Sequence, residues 1–231
     1  MRPRPSANAS KGVVAIVGAG PNLGRSVARN ICDLLINSGA LHARPPALAL
    51  AANLSRLADE IAWEAKAQVF AIRIDCADPK SVREAFEGVL SLGFVEVLVY
   101  NACTRIPSQP TRLADISVES FEKSLAVSAV GAFHSAQQVI PGMVERGKGT
   151  IIFTGCSASV TGFAGYSELS CGKFALRGLS QCLAREFQQA GVHVAHVVID
   201  GAIGAPGYVS CPCGKHLYVG DVRTINYLQF K

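Results

Sequence analysis

The features that this sequence lacks narrow its function first. No stretch approaches the roughly 18 consecutive apolar residues of a membrane-spanning helix, so no membrane role is expected. Basic residues outnumber acidic ones by 22 to 17, yet the surplus is not on the body of the chain. Residues 1–11 hold Arg2, Arg4 and Lys11 without an acid, and 208–231 hold Lys215, Arg223 and Lys231 against Asp221. The stretch between them is neutral. A nucleic-acid reader needs a basic face on its folded part, so no nucleic-acid partner is expected. The first eleven residues are polar and proline-punctuated and lack the apolar segment of a secretory signal. The eight cysteines (Cys32, Cys76, Cys103, Cys156, Cys171, Cys182, Cys211 and Cys213) therefore read as reduced thiols, and the expected location is cytoplasmic. Cys-x-x-Cys spacing is missing too. Cys211, Cys213 and His216 offer three zinc ligands without an evident fourth, so no metal site is expected.

What remains is a globular composition, 49% apolar and 17% charged over 231 residues, long enough to bury a proper core. Short apolar runs alternate with longer amphipathic stretches, the signature of βαβ units. Strands are predicted at Gly12–Val17, Ala47–Ala51, Gln68–Ile74, Val95–Tyr100, Gly149–Thr154 and Val192–Ile199. Helices are predicted at Leu23–Asn37, Leu54–Lys66, Ser81–Leu92, Val118–Met143 and Ser167–Gln189. The pattern predicts an α/β protein with a doubly wound parallel sheet of about six strands. One domain is expected over about 12–207, flanked by a flexible basic segment at 1–11 and an atypical tail at 208–231. His193 and His196 stand three apart on a strand, so they point to opposite faces and form no pair.

Gly18-Ala19-Gly20-Pro21-Asn22-Leu23-Gly24 follows the first strand directly and runs into a helix. Such a loop turns tightly and lets backbone N–H groups approach a pyrophosphate at the positive end of the helix. Asn101-Ala102-Cys103 follows the fourth strand, and Ile74-Asp75-Cys76-Ala77-Asp78 follows the third. Lys173 stands on the last long helix. In order and spacing, this set resembles the short-chain dehydrogenase/reductase family, in particular a subgroup whose loop reads Gly-Ala-Gly-Pro. The resemblance implies a Rossmann-like sheet and an NAD(P) cofactor. It assigns cofactor contacts to Gly18, Gly20, Asn22, Leu23, Gly24, Asp75, Cys76, Asn101, Ala102 and Lys173. Asn22 replaces a glycine of the family pattern, a mild change because Asn tolerates a left-handed backbone. Ala51-Ala52-Asn53 carries neither the acid that selects NAD nor the arginine that selects NADP. The missing acid leans the reading to NADP, with Arg25 or Arg56 as sources of charge.

The same resemblance exposes a damaged catalytic set. The family transfers hydride between a nicotinamide and a carbonyl or alcohol. A tyrosine moves the hydroxyl proton, a lysine four residues later tunes it, a serine orients the carbonyl and an asparagine holds a relay water. Lys173 is kept, but Leu169 stands at the tyrosine position, Cys156 at the serine position and Ser128 at the asparagine position. Leucine has no proton to give. Tyr166 is two turns from Lys173, about 10 Å along the axis, too far to be tuned by it. Ser170 lacks a base, and Ser157 is one place out of register. The Cys156 thiol needs a nearby cation such as Lys173 to become a nucleophile; otherwise it lines the pocket as a small hydrophobe. The expectation is an oxidoreductase-like protein that binds NAD(P) and a small carbonyl or alcohol, with ordinary catalysis weak or lost. The alternatives are a non-catalytic nucleotide- or partner-binding module and a truncated product. Family resemblance also implies self-association through Val118–Met143 and Ser167–Gln189. From Tyr208 the resemblance stops. The last 24 residues are too few for the family's substrate loop and final parallel strand, so that strand is expected to be missing and the sixth strand's edge exposed, as an altered C-terminus would leave it.

Overall fold

The structure is a computed structural model, and it describes residues 12–19, 27, 47–51, 58–60, 62–63, 68–104, 106–107, 109–199 and 225–229. β-Branched Gly12–Val17 forms β1 and the alanine-rich Ala47–Ala51 forms β2. Val69–Ile72, Phe94–Tyr100, Gly149–Cys156 and Val192–Ile199 follow as β3 to β6, and Ile225–Gln229 is β7. The sheet order is β3-β2-β1-β4-β5-β6-β7. Neighbours from β3 to β6 pair in parallel, while β7 pairs antiparallel with β6.

The seventh strand corrects the tail reading. Ile225–Gln229 shows no local period, but it hydrogen-bonds along the outer edge of β6, from Ala195↔Gln229 to Ile199↔Ile225. An unpaired row of backbone groups on β6 is thereby satisfied. The edge is covered, and the covering strand runs against the sheet rather than with it.

Apolar side chains from the helices and the central strands pack into one core. Helix α1 (Pro79–Leu92) starts where Asp78 accepts from the Lys80 N–H at 2.9 Å and Pro79 takes the first turn. Its face of Val82, Ala85, Phe86 and Val89 is buried. Helix α2 (Val118–Leu125) is capped by Ser117, which accepts from Ser120 N–H at 3.1 Å. A π turn over Ala126–Val130 joins α2 to α3 (Gly131–Arg146), so the predicted long helix is interrupted by one wide turn. Helix α4 (Ser167–Phe187) contributes Leu176, Leu183 and Ala184. These residues meet Val13, Ala15, Val17, Tyr100, Ile151 and Phe153 from the strands in one core. Val14 and Ile16 are buried as well, so β1 is covered on both faces, as a central parallel strand should be. The predicted helix Leu23–Asn37 lies outside the described residues, apart from Val27, which is helical. Within the predicted Leu54–Lys66, residues 58–60 and 62–63 are helical. Among the described residues no helix is long and apolar enough to cross a membrane.

Candidate active site

Strand order reverses between β1 and β4, and the crevice outside their carboxyl ends is where such sheets bind ligands. Gly18 leaves β1 with φ +84°, and a Cβ there would lie 2.5 Å from Ala102 N. Only glycine lets the loop pass so close to the Asn101-Ala102 backbone. Asn101 fixes this approach from both ends: its N–H donates to Val17 O at 2.8 Å and its Nδ2 to Gly18 O at 2.9 Å. Asn101, Ala102 and Gly18 are thus brought together. Gly20, Asn22, Leu23 and Gly24 lie outside the described residues, as do Arg25, Asn53, Arg56, Cys211, Cys213 and His216. Among the described residues no group of three or more His, Cys, Asp or Glu could hold a metal ion.

Asp75 and Cys76 form the turn into α1. The Asp75 carboxylate accepts from Ala77 N–H at 2.9 Å, and its own N–H donates to Ser81 Oγ at 2.9 Å. Asp75 is exposed. Cys76 is half-buried against the Tyr100 hydroxyl, and burial pushes its thiol pKa up. Tyr100 donates to Val127 O in the π turn, and burial drives its phenol far above the usual range. It is a structural hydroxyl, not an acid.

Lys173 and Leu169 share one face of α4, one turn apart. Lys173 is 5% exposed, and its Nζ donates to Thr154 O at 2.8 Å. That bond pins the helix to β5 two residues before Cys156. Cys156 is half-buried at the strand's end, and its N–H donates to Ser159 Oγ at 3.1 Å. Burial pushes the Cys156 thiol up, with Lys173 pulling the other way; the thiol is the stable form. Ser128 is buried where the π turn meets α4: a Cβ on Gly172 would lie 2.9 Å from both its Cβ and its Oγ. Lys173, Cys156 and Ser128 therefore gather around one stretch of α4, and Leu169, one turn before Lys173, is half-buried. The hydroxyl of Ser170 accepts from Phe163 N–H at 3.4 Å and holds the preceding loop. Tyr166 is half-buried at the helix start.

Two neighbours were given no role in the site by the sequence. His196 is fully buried beside Lys173 and Arg177, and neither ring nitrogen has a hydrogen-bond partner among the described residues. Arg177 reaches Ser159 O at 3.5 Å, while its buried Nε has no partner among the described residues. The only sequence signal was a histidine inside an apolar strand. The opposite-face reading of the two histidines holds, since His193 is exposed.

A family model described as "short chain dehydrogenase" matches residues 12–215. The chain belongs to the short-chain dehydrogenase family. It is 29% identical over 198 residues to 2,5-dichloro-2,5-cyclohexadiene-1,4-diol dehydrogenase of Sphingobium indicum, covering 84% of this chain and 73% of that protein. It is 32% identical over 146 residues to 2-(R)-hydroxypropyl-CoM dehydrogenase of Xanthobacter autotrophicus, covering 62% of this chain and 58% of that protein. It is 28% identical over 192 residues to NADPH-dependent aldehyde reductase 2, chloroplastic, of Arabidopsis thaliana, covering 79% and 70%. A short-chain dehydrogenase from Rhodopseudomonas palustris superimposes with a TM-score of 0.70 at 22% identity, over 84% of this chain and 85% of that one, which shows the shared fold. Proteins of this family are oxidoreductases that typically bind NAD(P).

Proposed function

We propose that the chain binds a nicotinamide dinucleotide across the carboxyl ends of β1 and β4, and that ordinary carbonyl reduction is weak or lost. Two observations support the binding half. Gly18 is held open by Asn101, and the buried Lys173 ammonium is positioned by Thr154 O. In this reading Gly18, Gly20, Asn22, Leu23 and Gly24 approach the pyrophosphate. Asp75 and Cys76 flank the adenine end, Asn101 and Ala102 line the floor, and Lys173 holds the nicotinamide ribose. The cofactor would supply or accept a hydride. NADP is favoured over NAD by the missing acid after β2.

The observation that carries the catalytic half is Leu169, one turn from Lys173 where an acid would have to stand. Cys156 remains protonated and offers a weak hydrogen bond to a carbonyl, and Ser128 is occupied in helix packing. A small carbonyl or alcohol could be held there without an efficient proton donor. General acid–base help is worth about 10²–10⁴-fold, which sets the size of the deficit. Self-association is part of this reading, since Val118, Val130, Phe133 and Phe174 on α2, the π turn, α3 and α4 are exposed.

Calorimetric titration with NADPH, NADP, NADH and NAD tests the binding half. Saturable binding of one redox pair is expected; a folded, monodisperse protein that binds none of them overturns it. Leu169→Tyr tests the catalytic half. The variant should raise turnover of an aldehyde and ketone panel by about 10²-fold or more. Family-like turnover by the unaltered chain, unaffected by Leu169→Ala, would refute it.

A further inference from the structure

Polar side chains from α4, β6 and the turn after β5 converge on Gly155. A Cβ on this glycine would lie 2.5 Å from His196 Nε2 and 2.7 Å from Ser159 Oγ, so the imidazole and the hydroxyl face one small space beside the strand. Lys173 reaches the same point from α4, donating to Thr154 O at 2.8 Å, one residue before Gly155. Arg177 stands one turn further along the same face of α4 and donates through Nη1 to Ser159 O at 3.5 Å. Ser159 is therefore touched on one side by the guanidinium and faced on the other by the imidazole.

These groups keep hydrogen-bonding capacity that the protein does not use. His196 and Ser159 are fully buried, and Lys173 nearly so. Among the described residues neither imidazole nitrogen has a partner, and neither has the buried Arg177 Nε. Ser159 Oγ accepts from Cys156 N–H at 3.1 Å and keeps its own hydrogen to donate. A buried donor without a partner has lost its bond to water and gained nothing in return. The charges are unbalanced as well. Lys173 and Arg177 are both cations, and among the described residues no carboxylate pairs with either of them or with His196. Buried charge of one sign is relieved by a counter-charge brought to it. The donors stand on three separate elements and approach from different directions, which suits a spherical ion, and their burial favours a small one.

We propose that this cluster is an internal site for one halide ion, held by Arg177 Nε–H, an imidazole N–H of His196 and the Ser159 hydroxyl, with the Lys173 ammonium adding positive charge. Gly155 belongs to the site, because a side chain there would fill the space that the ring and the hydroxyl face. The ion ties α4 to β6 and to the turn after β5, so it acts on the stability of the folded chain. No part of this rests on dinucleotide binding, and the residues that carry it, His196, Arg177 and Ser159, have no role in that reading.

The test follows urea unfolding of the full chain at pH 7.5, where His196 is neutral, while sodium chloride replaces sodium gluconate at constant ionic strength. A saturable gain in stability is expected. Chloride at about ten times its dissociation constant should lower the unfolding equilibrium constant about tenfold. The saturable part should disappear in Arg177→Met, which keeps the apolar stem, and in His196→Leu. Comparison with the variants subtracts the general effect of exchanging one salt for another. A response of equal size in the unaltered chain and both variants would overturn the site, as would the lack of any saturable response. A second measurement needs no variant: crystals soaked in sodium bromide, with anomalous scattering used to locate the ion. A peak in contact with Arg177 Nε and the His196 ring is expected. Bromide found only on the surface, or a water molecule in that place, would overturn the proposal.

Discussion

Acidification should destabilise this protein through one side chain, His196. The ring is completely buried on β6, and a Cβ on Gly155 would lie 2.1 Å from its Cε1, so β5 leaves it no room to move toward solvent. Lys173 and Arg177 face it from α4, and no carboxylate among the described residues offsets them. Burial first, and the two cations second, push its pKa from 6.5 down to about 4. The unfolded chain therefore takes up a proton near pH 6.5 that the folded chain refuses until about pH 4. Stability from this group is complete above pH 6.5 and falls as pH drops toward 4, by about 1.4 kcal/mol per unit. The loss is about 2 kcal/mol at pH 5 and about 3 kcal/mol at pH 4. Urea unfolding at pH 7.5, 6, 5 and 4 measures it, with His196→Leu as the reference. Carboxylates titrate in both proteins, so the difference between them isolates the imidazole. The variant also removes two unpartnered polar atoms, which cost about 1–3 kcal/mol each when buried. Near pH 7.5 it should be no less stable than the unaltered chain by more than about 1 kcal/mol, after the lost packing is counted. A difference that stays constant from pH 7.5 to pH 4 would refute the reasoning.

Gly18→Ala forces a side chain into a left-handed backbone, which alone costs about 1–2 kcal/mol, and brings it against Ala102 N. A lower thermal midpoint together with weakened dinucleotide binding is expected; an unchanged midpoint would show that the loop relaxes freely. Tyr100→Phe removes the hydroxyl that donates to Val127 O and should cost about 1–3 kcal/mol in urea unfolding. A neutral result would mean that the π-turn carbonyl finds another partner.

The fold was legible where the local pattern and the tertiary pairing agree. The bounds of β1, β2 and β6 coincide with their β-branched or apolar runs. They part company where pairing reaches further than pattern. β5 continues to Cys156 because Gly155 and Cys156 pair with Val198 and Ile199. β7 exists because β6 offers it an edge, not because Ile225–Gln229 alternates. The π turn was hidden for a similar reason. Its extra residue is taken up where Tyr100 meets Val127 O and Gly172 meets Ser128, contacts between segments far apart in sequence. For the candidate site, the family resemblance points to Lys173, Leu169 and Cys156. The His196–Arg177 neighbourhood needs three elements assembled before it shows, since neither residue belongs to a motif.

Lys173 connects these observations. A buried ammonium loses hydration worth several kcal/mol, and the structure returns one backbone acceptor, Thr154 O. Among the described residues no carboxylate pairs with it, and Leu169 supplies no phenolate. The neighbouring groups are cationic or neutral: Arg177, an uncharged His196 and a protonated Cys156. Among the described residues, the groups gathered at the carboxyl end of β5 are therefore cationic or neutral. Positive potential favours a ligand bearing phosphates and ribose hydroxyls, whereas proton transfer needs a group that titrates near the working pH. In the proposed reading the two tasks are separate: binding depends on Lys173 and the Gly18–Asn101 contact, and efficient turnover waits on an acid at position 169. Leu169→Tyr and dinucleotide titration then report on different parts of one site, so success in the first requires success in the second, but not the reverse.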